Sequence, residues 1–174
     1  DRIGKYSAVA DEMAGVLSGT QLKLRALLLA KVFREYENKR LGIMLPASVT
    51  ANVAVMATLL AGKVPVMLNW TVGRKNLEHA RSVAQLDVII TSSKFLDKVD
   101  NVEFGEVEEC FVFLEQIRDH QINWGNKIIA LLQSRKPAEA LLQRLELDEV
   151  EEDDPAVILF TSGSESAPKG VPLS

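Results

Sequence analysis

This sequence predicts a three-layer α/β unit built on a mostly parallel sheet, and three observations carry that reading. Apolar runs of strand length recur along the chain, each bounded by turn or capping residues. Between them lie longer stretches in which apolar residues return every three or four positions, the spacing of one helix face. The two patterns alternate, which places parallel strands side by side with crossover helices on both faces of the sheet.

In chain order, Tyr6 to Gly15 reads as a short helical or irregular lead-in, and Ser18-Gly19-Thr20 offers a cap for the helix that follows. There Leu22, Ala26, Leu29, Phe33 and Tyr36 form one face, with Lys23, Arg34, Glu35 and Lys39 largely outside it. Leu41 to Leu45, closed by Pro46, is a buried strand, and Ser48 caps a helix whose inward stripe is Val49, Val53, Met56 and Leu60. Gly62 stands where a left-handed C-cap belongs, and Val64 to Leu68 is the next strand, its Pro65 favouring a strand start or a sheet edge.

The pattern then repeats. Arg74 to Gln85 is helical, Asp87 to Thr91 is a strand, and Ser92 or Ser93 caps a short helix reaching Val99. After an acidic loop through Glu103, Glu106, Glu108 and Glu109, Cys110 to Leu114 is a fourth strand. Gln121 to Gln133 and Pro137 to Leu145 are helices, with Ile122, Ile128, Ile129 and Leu132 as apolar contacts. The run Glu146, Asp148, Glu149, Glu151, Glu152, Asp153 and Asp154 is a solvated connector: carboxylates strung along sequence repel unless folded around an ion. A last strand spans 157–161, and Val171-Pro172-Leu173 reads as extended chain.

With 174 residues, 47% hydrophobic residues and a net charge of −4, the chain has enough apolar material for one real core. Its Lys and Arg are scattered and form no stripe for a nucleic-acid backbone. The longest apolar stretch, residues 53–62, is far short of the ~20 residues that span a bilayer. A single cysteine, Cys110, allows no intrachain disulfide, fits a reducing compartment, and lies in an apolar run as a core thiol. His79 and His120 have no metal-ligand cluster at suitable spacing. Asp1-Arg2-Ile3-Gly4-Lys5 is polar and begins without methionine, which reads as an internal start.

Function concentrates in Thr161-Ser162-Gly163-Ser164-Glu165-Ser166-Ala167-Pro168-Lys169-Gly170, where the last apolar strand opens into a small polar loop. Small residues let backbone N–H groups converge, hydroxyls donate to phosphate oxygens, and one lysine supplies a mobile positive charge. The competing reading is a serine-rich surface turn. Gly163 does lie six residues before Lys169, as in the P-loop of NTPases, but Pro168 occupies the second glycine's place. Gly170 also replaces the Mg²⁺-binding hydroxyl, and extended chain follows where that motif needs a helix.

The order Thr-Ser-Gly-Ser, then Pro168-Lys169-Gly170, after an apolar strand resembles the phosphate loop of the adenylate-forming superfamily, whose usual form is T-S-G-[ST]-T-G-x-P-K-G. Leu41-Gly42-Ile43-Met44-Leu45-Pro46 and the segment from Ala61 to Asn69 are similar to scaffold segments of the same superfamily. Glu165 and Ser166 depart from the usual loop. The Ser164-Glu165 pair and Asn69-Trp70-Thr71-Val72-Gly73 resemble the bacterial acyl-carrier-protein synthetases fused to lysophospholipid acyltransferases. Ser166 fits neither form.

What the resemblance implies is an ATP- and Mg²⁺-dependent ligase. A fatty acid forms an acyl-adenylate, and the acyl group passes to the thiol of acyl-carrier protein, and onward to a lysophospholipid, or alternatively to CoA. Residues 1–174 are then the N-terminal part of the adenylation domain, ending just after the loop. Thr161, Ser162, Gly163, Ser164, Glu165, Ser166, Lys169 and Gly170 line the ATP phosphates, with Glu165 facing solvent or Mg²⁺. Neither a catalytic residue nor a metal ligand is assigned within the chain, which by itself is expected to be inactive and prone to self-associate. The implied location is cytoplasmic or at the cytoplasmic face of the inner membrane. A non-catalytic flavodoxin-like binding domain, its loop a mere turn, is the alternative from another class.

Overall fold

The computed structural model describes residues 5–12, 14–99, 102–161 and 168–174. The chain opens on a two-stranded antiparallel hairpin, β1 (Ser7–Asp11) and β2 (Gly15–Ser18), where the sequence suggests a helical or irregular lead-in. The register explains the difference: Val9 lies opposite Leu17, Leu17 is buried, and Val9 packs with it against the helices that follow. Asp11 then reaches across to accept the N–H of Val49 at 2.7 Å.

Helix α1 (Gly19–Phe33) starts at a full capping box, Ser18 accepting from Gln21 N–H and the Gln21 side chain accepting from Ser18 N–H. It ends before Tyr36, which packs on Phe33 from the following turn. Ala26, Ala30 and Phe33 face the sheet-side core, while Leu27 packs on the opposite side of the helix. Leu29, expected in the inward stripe, is only partly buried.

Strand β3 (Arg40–Ile43) is followed by α2 (Val49–Leu60), capped by Ser48. Val49 and Val53 are buried as the spacing predicts, but Met56 is exposed and Ala54, Ala57 and Ala61 take the inward positions. Packing decides this: α2 lies close against α1 and the sheet, where small side chains let backbones approach. Gly62 closes α2 at φ +71°, with Gly62 N–H donating to Leu59 and Lys63 N–H to Thr58, the pair of bonds that defines a Schellman cap.

Strand β4 (Val64–Met67) is flanked on both sides, so Pro65 marks a strand start and not a sheet edge. Val64 and Leu68 N–H both donate toward β3, which turns the Pro65 nitrogen to the other side, where pairing begins only at Val66. Then come α3 (Arg74–Ala84), β5 (Ile89–Thr91), α4 (Ser93–Leu96, capped by Ser92) and β6 (Phe111–Phe113). The acidic loop before β6 contains a 3-10 turn at Gly105–Cys110, and Cys110 is a buried free thiol. A short turn, α5 (Leu114–Gln116), leads to α6 (Trp124–Ser134) and α7 (Ala138–Arg144).

Ile122, just before α6, packs on the core, but Ile128, Ile129 and Leu132 within it are exposed, against the sequence expectation. The carboxylates of 146–154 are exposed, as a connector requires. Strand β7 (Val157–Phe160) and β8 (Gly170–Leu173) finish the sheet.

The six strands lie in the order β6-β5-β3-β4-β7-β8, parallel throughout except for the antiparallel β7–β8 pair. Val171 to Leu173, extended as the sequence suggests, is paired on one side by β7. One face of the sheet buries Leu41, Ile43 and Ile90 under α1 and α2; the other buries Val66, Leu68 and Ile89 under α3 and the 3-10 turn. This is the three-layer, mostly parallel arrangement that the alternation predicts. Gly42 of β3 sits where β5 packs closely, and a Cβ there would lie 2.8 Å from Ile89 Cγ1. Among the described residues no helix is long and apolar enough to cross a membrane.

Candidate functional site

Parallel strands bring their C-terminal ends to one edge of a sheet, and ligands of open α/β sheets bind beyond that edge. Here β3, β5 and β4 run out into Met44-Leu45, Ser92 and Leu68-Asn69, and β7, parallel to β4, delivers Thr161 to the same edge. The helices leaving β3 and β5 pack on opposite faces, α2 with the first cluster and α4 through Phe95 against Trp70 of the second. Between those diverging ends opens a crevice of about 290 Å³, lined in part by Leu45, Pro46, Ser48, Ser92 and Phe95.

The β7–β8 register sets the ends of the phosphate-type loop. Phe160 lies opposite Gly170, Thr161 N–H donates to the Lys169 carbonyl at 3.1 Å, and Lys169 N–H donates to Thr161 Oγ1 at 3.3 Å. Thr161 and Lys169 therefore close the neck of the loop, both exposed at the sheet edge, with Pro168 buried beside them. Among the described residues no carboxylate pairs with Lys169. Ser162, Gly163, Ser164, Glu165 and Ser166, expected to line the phosphates, lie outside the described residues.

Two neighbours of the neck come from α3 and its approach. His79 Nε2 is 3.0 Å from the Pro168 carbonyl oxygen. Asn69 Oδ1 accepts both the N–H and the hydroxyl of Thr71, at 3.0 and 2.8 Å, forming the Asx turn that ends β4. Asn69, Asn76, Thr161 and Pro168 border a small cleft of about 50 Å³. The Asn-aromatic-Thr segment is thus a scaffold turn beside the loop neck. Its Asx spacing was readable in sequence, whereas nothing local to His79 signals its contact.

Glu115 ties the other side of the edge, accepting from the Ser92 hydroxyl at 2.7 Å and Ser93 N–H at 3.1 Å. Burial alone would raise its carboxyl, but these hydrogen bonds outweigh burial and hold it below the ordinary carboxylate value. Among the described residues no cluster of three or more His, Cys, Asp or Glu is placed to hold a metal ion.

A family model described as AMP-binding enzyme matches residues 4–174, and the chain belongs to that family. Its fold is similar to that of VinN in complex with 3-methylaspartate, at TM-score 0.65 and 18% identity over 95% of this chain and 42% of that one. O-succinylbenzoate coenzyme A synthetase from Bacillus subtilis in complex with AMP matches at TM-score 0.62 and 17% identity, over 97% and 38%. A Mycobacterium tuberculosis fatty acyl CoA synthetase matches at TM-score 0.64 and 17% identity, over 98% and 32%. The chain spans less than half the length of each of these structures.

Proposed function

We propose that this chain supplies the phosphate-binding part of an ATP-dependent ligase that activates a fatty acid as its acyl-adenylate. The observation that carries the reading is the loop neck: register brings an exposed Lys169 and the Thr161 backbone and hydroxyl together at the C-terminal edge of the parallel strands. Their chemistry fits a polyphosphate, with a cation that no described carboxylate neutralises and the Thr161 hydroxyl beside it. In the reaction a carboxylate oxygen of the acid bonds to the α-phosphorus of ATP, the bond from that phosphorus to the β-phosphate bridge breaks, and pyrophosphate leaves. Lys169 and the loop donors offset charge that builds on the departing pyrophosphate. Mg²⁺ would arrive with the triphosphate and add charge neutralisation there.

Structural relatives named for fatty acyl CoA synthetase and for O-succinylbenzoate coenzyme A synthetase support a carboxylic acid as the partner of ATP. The choice of acyl-carrier protein over CoA as the thiol acceptor, and of a lysophospholipid as the final one, rests on Ser164-Glu165 and Asn69-Trp70-Thr71. Lys169→Ala in the full-length protein is expected to slow fatty-acid-dependent pyrophosphate exchange by about 100-fold while leaving fatty-acid binding within a few fold. Unchanged exchange would remove Lys169 from the reaction. Running the thioester step with purified carrier protein and with free CoA in parallel assigns the acceptor.

A further inference from the structure

The exposure of α6 runs against its own sequence. Of its 11 residues only Ala130 and Ser134 are buried, whereas Trp124, Ile128, Leu131 and Leu132 are 77%, 45%, 43% and 59% exposed. At 100° per residue Ile128 and Leu132 point away from the Ala130–Ser134 side, Trp124 and Leu131 lie beside them on one side and the exposed Ile129 on the other, and Arg135 continues the row just beyond the helix. A contiguous apolar row of this kind marks an interaction surface.

Charge identifies the partner. From His120 to Ala138 the chain carries Lys127, Arg135 and Lys136 and no Asp or Glu, although its net charge is −4. The neighbouring face of α1 adds two more cations: Lys23 Nζ donates to the Lys136 carbonyl at 3.1 Å, and Lys31 Nζ donates to Asn126 Oδ1. Asp119, the nearest acid before this stretch, is engaged by Arg118. A second copy of the chain is disfavoured, because a self-complementary contact through this helix would bring Lys127, Arg135 and Lys136 against their own duplicates.

We infer that α6 is a membrane-interface helix that docks on anionic phospholipid. Trp124 and the aliphatic row enter the headgroup boundary, while Lys127, Arg135 and Lys136 stay at phosphate level with their stems along the apolar surface. One helix of this length gives weak, reversible binding, to which each surface cation contributes about fivefold in partitioning.

The test uses the full-length protein and vesicles containing phosphatidylglycerol, with phosphatidylcholine vesicles as reference. Co-sedimentation with the anionic vesicles only, weakened by salt, is expected, together with slower amide exchange over residues 124–134 when vesicles are present. Leu132→Glu and Trp124→Ala change exposed positions, so the fold should be retained, checked by circular dichroism, and both should lose most of the binding. Lys127→Gln, Arg135→Gln and Lys136→Gln combined should weaken it about 100-fold. No binding, or binding that the variants leave intact, overturns the inference. So does a Trp124 side chain already shielded from an aqueous quencher without vesicles, which would mean that protein already covers the face.

Discussion

His79 is half-buried on α3, and its Nε2 lies 3.0 Å from a carbonyl oxygen at the exit of the candidate phosphate loop. A carbonyl only accepts, so the ring nitrogen donates, which it does in both the Nε2–H neutral tautomer and the imidazolium. Under the proposed function His79 positions Pro168 and, through it, Lys169. His79→Leu should raise KM for ATP by about fivefold, the worth of one hydrogen bond, with kcat changed much less. His79→Gln, whose amide can donate from a similar position, should restore most of the loss. Equal loss of KM and kcat in both variants would point to general destabilisation and remove the positioning role. This contact spans 89 residues of sequence, so no local pattern could announce it. Ser18, Ser48 and Ser92 were legible as caps because each acts on an N–H only three residues away.

Local chemistry also decided which elements could be read. Strands β3, β4, β5, β6 and β7 lie where apolar runs place them, because buried parallel strands need little beyond continuous hydrophobicity. Helix faces were read less well. The inward side of α2 is mostly alanine, which hydrophobic spacing undervalues, and α1 is buried on two sides, so a single stripe describes neither. The β1–β2 hairpin was missed because its strands are short and mostly exposed. Glu115 shows what joins elements at the site edge, its carboxylate linking the turn after β6 to the first turn of α4. Its folded value is depressed, so its stabilisation is complete above the unfolded carboxylate range, near about 4.3, and fades as pH falls through the lower folded value. Glu115→Gln should therefore cost about 1 kcal/mol at neutral pH and flatten the acid side of the stability profile. Urea unfolding at neutral pH and at about pH 3 checks this. An unchanged difference between the two conditions would contradict it.

At the scale of the whole molecule, the sheet brings the loop neck to the C-terminal edge of its parallel strands but leaves it open to solvent. Thr161 and Lys169 are exposed, and on the sheet face they share, Leu159, Val171 and Leu173 of β7 and β8 are also partly exposed, at 40%, 38% and 44%. That openness bears on how tightly this 174-residue chain can hold ATP by itself. Exposed contacts between a lysine or hydroxyl and phosphate compete with strong hydration and are worth about 0–1 kcal/mol each. Association costs roughly 4 kcal/mol or more in lost translational and rotational freedom. A few such contacts at the neck do little more than offset that cost, and most useful burial of a nucleotide comes from enclosing its base and sugar. The crevice between β3 and β5 is about 290 Å³, at the small end for a ligand site, and it belongs to different strand ends from the loop. Isothermal titration of the 174-residue chain with Mg-ATP should therefore give a dissociation constant above about 1 mM, and acid-dependent pyrophosphate exchange should be undetectable. Micromolar binding would mean that the loop and the neighbouring crevice already enclose the nucleotide, and that the open neck seen beside Lys169 closes around it.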